Sequence, residues 1–471
     1  MIFSKAYGGS VHPSDEDFCV KYCCARKKQG RQTELHMDEA QFELIEIHQL
    51  RPGMFIELEL GWMSHPFPTR SFKISSEKQL EVIRGLGLKR VRYFRGKSDL
   101  LPGLANADGA KVLAGDNPGE QAKPESTLAS TDEHRLRRQR SDLLSAQHNS
   151  LIVCERRFVD AIQHYKLAVE QISAFPGAAK QQCLGVVGGF VGDMLQEGEL
   201  AIRLLSEGMG DKASMHPVNV TILSLLLGRS LGLSQPDMLD LGMAAFLHDI
   251  GKSRLPDRVR WPDENFSKAE YNLYQEHVAQ GVPLGRHMDL TAGALQAIVQ
   301  HHEAMDGSGF PARLKGDSLS VPSKILSLVN QYDNLCNPSR PSTAVTPHEA
   351  LALIFAQLKS RFDSVILGAF IRMMGVYPPG SVVQLADERF ALVVSVNSTR
   401  PLRPQVIVHE PRVPKHEALI LDLEQSPALG IRRSLKPASL PREAMDYLSP
   451  RQRICYFFEK AIGSPSDEVG L

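Results

Sequence analysis

The sequence predicts a multidomain protein, with a central all-α domain between a small α+β domain and a small β-rich appendage. Three observations lead there. From about residue 149 to 372, apolar residues recur at three- and four-residue steps, as in CERRFVDAIQHYKLAVEQI and GDMLQEGELAIRLLSEG. Before that, residues 43–105 mix short extended runs with one short helix. After GVYPPGSVVQL the helical period gives way to β-type runs such as FALVVSVNS and QVIVHE, separated by proline and charged turns.

Taken in order, residues 1–42 show no clear hydrophobic period and are expected to lie outside the folded unit as a disordered leader, at least as far as Met37. Their CVKYCC stretch brings Cys19, Cys23 and Cys24 together, but a zinc site needs a second ligand pair and only His12 and His36 lie nearby, so free thiols are expected. In 43–105, ELIEIHQLRPGMFIELEL reads as two extended segments around Pro52-Gly53. WMSHPFPTRSFKI continues in irregular and extended form, and SSEKQLEVIRGLGLKRVRYF gives a capped short helix, a glycine stop and a final strand. Residues 106–148 are polar and read as a linker ending in the basic run RLRRQR, a solvated helix start. Residues 149–372 form the helical domain, and 376–460 a β-rich region with a final helix near RQRICYFFEKAI.

The chain has 471 residues, with 54 Lys plus Arg against 54 Asp plus Glu, so no global field draws it to nucleic acid or anionic lipid. No stretch has the length of apolar sequence that a membrane span needs, no signal-peptide core is read, and the cytosol is expected. Seven scattered cysteines do not form a disulfide framework.

The chemistry is concentrated in the central domain. In FLHDIGKSRLPD the face that carries Met238, Leu241 and Ala245 continues through His248 and Lys252, so imidazole, ammonium and the neighbouring Asp249 carboxylate extend an inward-facing stripe. Buried groups of this kind are costly unless they pair or bind something charged. His216 opens another apolar helix, Ser267-Lys-Ala-Glu270 is a capping box for a helix that presents His277, and a helix from Thr291 carries Leu295, Ile298 and then His301–His302. Leu326, Val329, Asn330 and Asp333 share one face of the helix after Val321-Pro322. A single buried histidine is usually a satisfied core residue. Five imidazoles and a carboxylate on separate helices suit iron, manganese or zinc, and they are too many for one open catalytic zinc. A two-metal site would use them all. Glu303 reads either as an anchor for an imidazole or as a solvated helix-end charge, and Asp333 either as an orienting group or as a helix cap.

His216, FLHDIGK, EHVAQG, HHEAMDGSGFP, VNQYDNL and SRP, in that order and spacing, resemble the HD-GYP branch of the HD phosphohydrolase superfamily over roughly 216–372. Through RPGMFI and WMSHPF, residues 43–105 resemble the small uncharacterised domain often found N-terminal to it. The resemblance implies an HD-type helical domain holding two, sometimes three, iron or manganese ions, and hydrolysis of cyclic di-GMP to pGpG and then GMP. It implies His216, His248, Asp249, His277, His301, His302 and, in place of a family aspartate, Asn330 as metal ligands. Asp249 bridges, Lys252 lies near the scissile phosphate, Asp306, Gly307, Gly309 and Phe310 stand in the Gly-Tyr-Pro loop, and Arg340 stands near an arginine that contacts phosphate. Lys212 sits where some members place the glutamate that recruits a third ion, so two ions are expected, and Asn219 replaces a usual arginine.

The expected activity is phosphodiester hydrolysis by metal-activated water, with a cyclic dinucleotide as substrate. The alternatives are a catalytically weak or inactive cyclic di-GMP sensor or protein-docking module, which Asn330 favours, or an HD phosphohydrolase acting on another nucleotide. Protein partners are expected through the flanking domains, and a homodimer is compatible with the reading.

Overall fold

The computed structural model describes residues 43–58, 71–85, 88, 90–98, 126–262, 265–397, 400–426 and 428–461. The leader with its cysteines, the WMSHPF stretch and the first part of the linker lie outside these residues. The chain divides into two compact units, one ending at Glu120 and the other starting at Gln121.

In the first unit, β1 (Glu43–Glu46), β2 (Phe55–Glu57), β3 (Ser71–Lys73), α1 (Glu77–Gly85) and β4 (Arg90–Tyr93) build a sheet of order β1-β4-β2-β3 with one helix. All pairs are antiparallel, with Ile45 opposite Val91 and Ile56 opposite Phe72. The two segments flanking Pro52-Gly53 are not hairpin partners, because β4 lies between them. Their apolar residues, with Leu80 and Ile83 of the helix, make a small core of its own.

The second unit begins with α2 (Ser126–Gln171) and α3 (Pro176–Met194), followed by β5 (Leu200–Leu204). It continues with α4 (Lys212–Ser230), α5 (Gln235–Leu247), α6 (Lys268–His287), α7 (Ala292–Gln300), α8 (Val321–Cys336), α9 (Pro347–Gln357) and α10 (Ser364–Met374). It closes with β6 (Val382–Leu385), β7 (Phe390–Asn397), β8 (Gln405–Val408), β9 (Ile420–Asp422), β10 (Ile431–Leu435), α11 (Arg442–Leu448) and β11 (Tyr456–Lys460). The mostly helical centre and the strand-rich ends agree with the expected fold class. Cys154, Cys183, Cys336 and Cys455 are buried free thiols.

Three expectations need correction. The stretch 106–148 is not all linker: from Ser126 it lies in the 46-residue α2. STLASTDEHRLRRQRSDLL contains no Gly or Pro and is built of helix-tolerant residues, so its polarity is compatible with helix, and the described side chains Arg137–Asp142 are exposed. Nor is the central region purely helical, because LAIRL is the buried strand β5. Finally, the end of the chain near RQRICYFFEKAI is strand β11, and the helix α11 comes earlier. An apolar run of five residues fits a strand or a helix turn equally well, and aromatic residues favour the strand.

These strands join the two regions. β5 pairs antiparallel with β11 on one side and β7 on the other, Ile202 facing Phe458 and Val396. The resulting seven-stranded sheet runs β10-β6-β7-β5-β11, with β8 and β9 continuing off β7. The sheet is thereby continuous with the helical core, and Phe190 of α3 packs edge-on against Phe457 and Phe458. α4 packs against α5, α8 and β11, α5 against α7, and α6 against α7, which brings the polar residues of five helices to one place.

Candidate metal centre

Local sequence places each side chain. Asp211 caps α4 by accepting from the Ser214 amide, and His216 follows one turn later. Ser234 caps α5, which ends at Leu247. His248 keeps helical dihedrals at φ −55° and ψ −36°, Asp249 then leaves the α-helical path at φ −95° and ψ 8°, and Ile250–Arg254 form a 3-10 turn. Lys252 therefore comes from that tighter turn and not from a continued helix, a correction to the shared face read from the sequence. The Ser267–Glu270 capping box is present at the start of α6, and Thr291 caps α7.

The approach of the 3-10 turn to α6 depends on a glycine. A Cβ placed on Gly251 would lie 1.9 Å from the His277 carbonyl oxygen and 2.5 Å from the Gly281 nitrogen. Backbone meets backbone here, which sets Asp249 beside His277.

Four imidazoles are fixed by hydrogen bonds at Nδ1. That atom lies 2.8 Å from the Ala245 carbonyl for His248, 2.6 Å from Tyr274 O for His277, 2.6 Å from Ile298 O for His301, and 2.5 Å from Asp333 Oδ2 for His216. Each acceptor is an oxygen, so each Nδ1 donates and each Nε2 is left with a lone pair. The Nε2 atoms converge: His216 and His248 are 3.2 Å apart, and His277 and His301 are 3.3 Å apart. Between the two pairs stands Asp249. Its Oδ2 is 3.4 Å from His248 Nε2 and 3.7 Å from His216 Nε2, and its Oδ1 is 3.5 Å from His277 Nε2 and 3.9 Å from His301 Nε2. Oδ1 is buried and accepts no hydrogen bond among the described residues. Two ligand groups result, one of His216, His248 and Asp249 and one of Asp249, His277, His301 and His302.

Lone pair against lone pair at about 3.2 Å is unfavourable unless a cation lies between, either a proton or a metal. Protons are disfavoured. Burial pushes the His277 ring down to about 4 and holds the His301 and His302 rings well below their usual value, the last two helped by neighbouring imidazoles. Burial also lowers His216, even with Asp333 opposing it. Asp249 would be raised by burial, but the His248 ring and the Lys252 ammonium hold it well below the carboxylate range. A neutral imidazole set around an ionised carboxylate with an orphaned oxygen fits a divalent metal.

Lys252 Nζ donates to Asp249 Oδ2 at 2.6 Å and lies 4.1 Å from the centre of the Trp261 ring. The Lys212 ammonium stands 4.9 Å from the same ring, and burial together with Lys252 lowers it to about 8. A cleft of about 400 Å³ opens here, lined by Tyr165, Asp211, Asp249, Lys252, Arg260 and Trp261. Arg340 belongs to the segment beside it, since Ser339 Oγ donates to the Pro262 carbonyl.

The Gly-rich loop closes the other side. Phe310 stacks on His302 with ring centres 4.4 Å apart, and Tyr274 Oη lies 3.2 Å from His302 Nε2. A Cβ on Gly309 would sit 2.4 Å from the His302 carbonyl oxygen, so that glycine permits close packing on the histidine backbone. Gly307 takes φ +79°, a left-handed conformation. Asp306 is engaged inside the loop, accepting from the Ser308 amide and Ser360 Oγ.

Glu303 does not anchor an imidazole. Its two carboxylate oxygens accept from the Ala312 and Leu314 amides at 2.6 and 2.9 Å, so it holds the loop that carries Phe310. Asn330 is buried one helical turn before Asp333, with its amide oxygen accepting from Asn334 Nδ2 at 2.7 Å. Asp333 orients His216. Sequence reasoning missed Gly251, Trp261, Tyr274 and Asn337. Asn337 was accessible to it, four residues after Asp333 on the same helix face. Trp261 was not, because it reaches the site from irregular chain.

Residues 200–366 match the HD domain family, and residues 43–182 match a domain of unknown function, DUF3391. The chain is 26% identical over 373 residues to a cyclic di-GMP phosphodiesterase of Pseudomonas aeruginosa, an alignment covering 77% of this chain and 84% of that one. It is 33% identical over 150 residues to a cyclic di-GMP phosphodiesterase response regulator of Xanthomonas campestris pv. campestris, covering 31% of this chain and 39% of the relative. Among solved structures, an HDG"Y"P protein from Bdellovibrio bacteriovorus aligns over 70% of this chain and 98% of its own, at 14% identity and a TM-score of 0.38. Among the described residues no helix is long and apolar enough to cross a membrane.

Proposed function

Residues 200–366 of this chain match the HD domain family, and on that premise we propose that it is a metal-dependent phosphodiesterase that hydrolyses cyclic di-GMP to pGpG, GMP or both. The observation that carries the reading is the pair of facing Nε2 atoms on each side of Asp249, one pair near each carboxylate oxygen. Two divalent ions sharing Asp249 would use both groups, and the nitrogen-and-carboxylate set favours iron or manganese. His216 and His248 would hold one ion, and His277, His301 and His302 the other. Asn330, at the place of the expected carboxylate, would add at most a neutral oxygen donor, its amide oxygen already accepting from Asn334. The substrate class is supported by the relatives named above, both cyclic di-GMP phosphodiesterases.

Bound ions supply acidified water and a positive field for phosphate. The chain's own residues do the rest. Lys252 holds a non-bridging phosphoryl oxygen as a point charge, with Trp261 keeping bulk water off its ammonium. Arg340, next to the Ser339 that bonds the Pro262 carbonyl, would supply a second cation for phosphate. Phe310, pressed on His302 and carried by the loop that Glu303 fixes, keeps that imidazole in place.

The test is anaerobic purification with Fe(II) or Mn(II), incubation with cyclic di-GMP, and chromatographic separation of pGpG and GMP. Turnover that disappears in Asp249→Ala supports the enzyme. Tight nucleotide binding without product would replace it with the sensor reading.

A further inference from the structure

Behind His216 lies a second polar layer that reaches the last strand of the chain. Asp333 Oδ2 accepts a hydrogen bond from His216 Nδ1, while Asp333 Oδ1 accepts from Asn219 Nδ2 and from Asn337 Nδ2, both at 2.9 Å. Each of these amide groups also donates to the Ile454 carbonyl, at 2.7 and 2.8 Å. Their oxygens accept in return: Asn337 Oδ1 from the Ile454 amide at 2.8 Å, and Asn219 Oδ1 from the Tyr456 amide at 3.0 Å. Asn219, Asp333 and Asn337 are buried at 0%, 0% and 3% exposure.

Two asparagines, Asn219 in α4 and Asn337 at the C-terminal cap of α8, thus read the backbone of one segment leading into β11 and pass that geometry to a single carboxylate. Every donor and acceptor named is used, and a buried network of this kind has one low-energy arrangement. We infer that Asn219, Asn337 and the chain at Ile454–Tyr456 form a clamp that fixes the tautomer and aim of His216, and so sets the metal affinity of the His216–His248–Asp249 group. Asn219 and Asn337 are positioning residues, two hydrogen bonds removed from the His216 ring. The inference rests on the metal reading given above, but not on the identity of the substrate. It makes the C-terminal strand part of the centre, although 238 positions separate Ile454 from His216 in the chain.

Outer-layer partners of this kind change metal affinity about 10- to 100-fold when removed. The experiment uses the full chain and Mn(II) titration followed by electron paramagnetic resonance, in the parent and in Asn219→Ala and Asn337→Ala. One ion should bind 10- to 100-fold more weakly in both variants while the other keeps its affinity. Tyr332→Phe is the control: it removes the hydroxyl contact with Tyr456 Oη at 3.0 Å beside the same strand without touching either asparagine, and should leave both affinities unchanged. Parent-like affinities in the asparagine variants, or an equal loss in Tyr332→Phe, would overturn the clamp. Imidazole ¹⁵N NMR of the metal-free parent gives a readout that needs no variant to fold: His216 should carry its proton on Nδ1, and a proton on Nε2 would overturn the inference. A parent chain that bound no Mn(II) at all would sink the metal reading instead, and the clamp would still be judged on that tautomer.

Discussion

Adding one methyl group at Gly251 should disable the centre without replacing a single ligand. In Gly251→Ala the new Cβ would stand 1.9 Å from the His277 carbonyl oxygen. Carbon–oxygen contacts do not close below about 3 Å in packed interiors, so the 3-10 turn and α6 must separate by roughly 1 Å. The turn carries Asp249 and Lys252, and α6 carries His277. A metal tolerates ligand displacements of only about 0.2 Å, so Asp249 and His277 could no longer serve one ion. A misplacement near 1 Å costs on the order of 10²-fold in rate, and overpacking costs roughly 1–3 kcal/mol of stability. The assay is metal content by mass spectrometry, circular dichroism for fold, and hydrolysis of cyclic di-GMP on the same preparation. The expectation is a folded protein that loses metal at the Asp249–His277 group and at least about 10²-fold in kcat/KM. A folded Gly251→Ala protein with full metal and full rate would refute the packing argument.

Further expectations concern acid, the loop and Asn330. In the metal-free chain, burial lowers His277 from near 6.5 to about 4, so the unfolded state binds more protons between those values and stability is lost as pH falls. His277 alone should cost about 2 kcal/mol by pH 5 and about 3 kcal/mol by pH 4, with His216, His301 and His302 acting in the same direction, read as a falling urea midpoint; a flat midpoint from pH 7 to 5 would contradict it. Glu303→Gln leaves one of two loop amides without its acceptor, for about 1–3 kcal/mol, and by loosening Phe310 should raise KM more than it lowers kcat. Asn330→Asp keeps the acceptor that Asn334 uses and adds a charge near the ions, so metal affinity should rise about tenfold, close to 1.4 kcal/mol; equal affinity would remove Asn330 from the ligand set.

Much of the centre was legible because its residues break a rule. His216, His277 and Asp333 are buried within helices and His248 at the end of one, where nothing but a partner or a ligand compensates their desolvation. Capping residues Ser267 and Thr291 fixed where the helices that lead to His277 and to His301–His302 start. What was hidden depends on contacts across long distances in the chain. LAIRL reads as more helix until Tyr456–Lys460 comes to pair with it, and YFFEK reads as a helix end until β5 lies beside it. Glu303 follows two histidines, which suggests an imidazole partner, yet its carboxylate goes to amides nine and eleven residues later. Gly251 is silent in sequence because its role is an absence of volume. The replacement of an expected arginine by Asn219 made sense only once Ile454 and Tyr456 supplied the groups that its amide reads.

The central claim is that Asp249 is shared by two ions, each also held by imidazole nitrogens. Electron paramagnetic resonance of the anaerobic protein loaded with two equivalents of Mn(II) tests it most directly. The account predicts the signal of a spin-coupled pair in the parent chain, collapsing to single uncoupled ions or to none in Asp249→Ala. Two uncoupled ions in the parent chain, or a coupled pair that survives without Asp249, would contradict it.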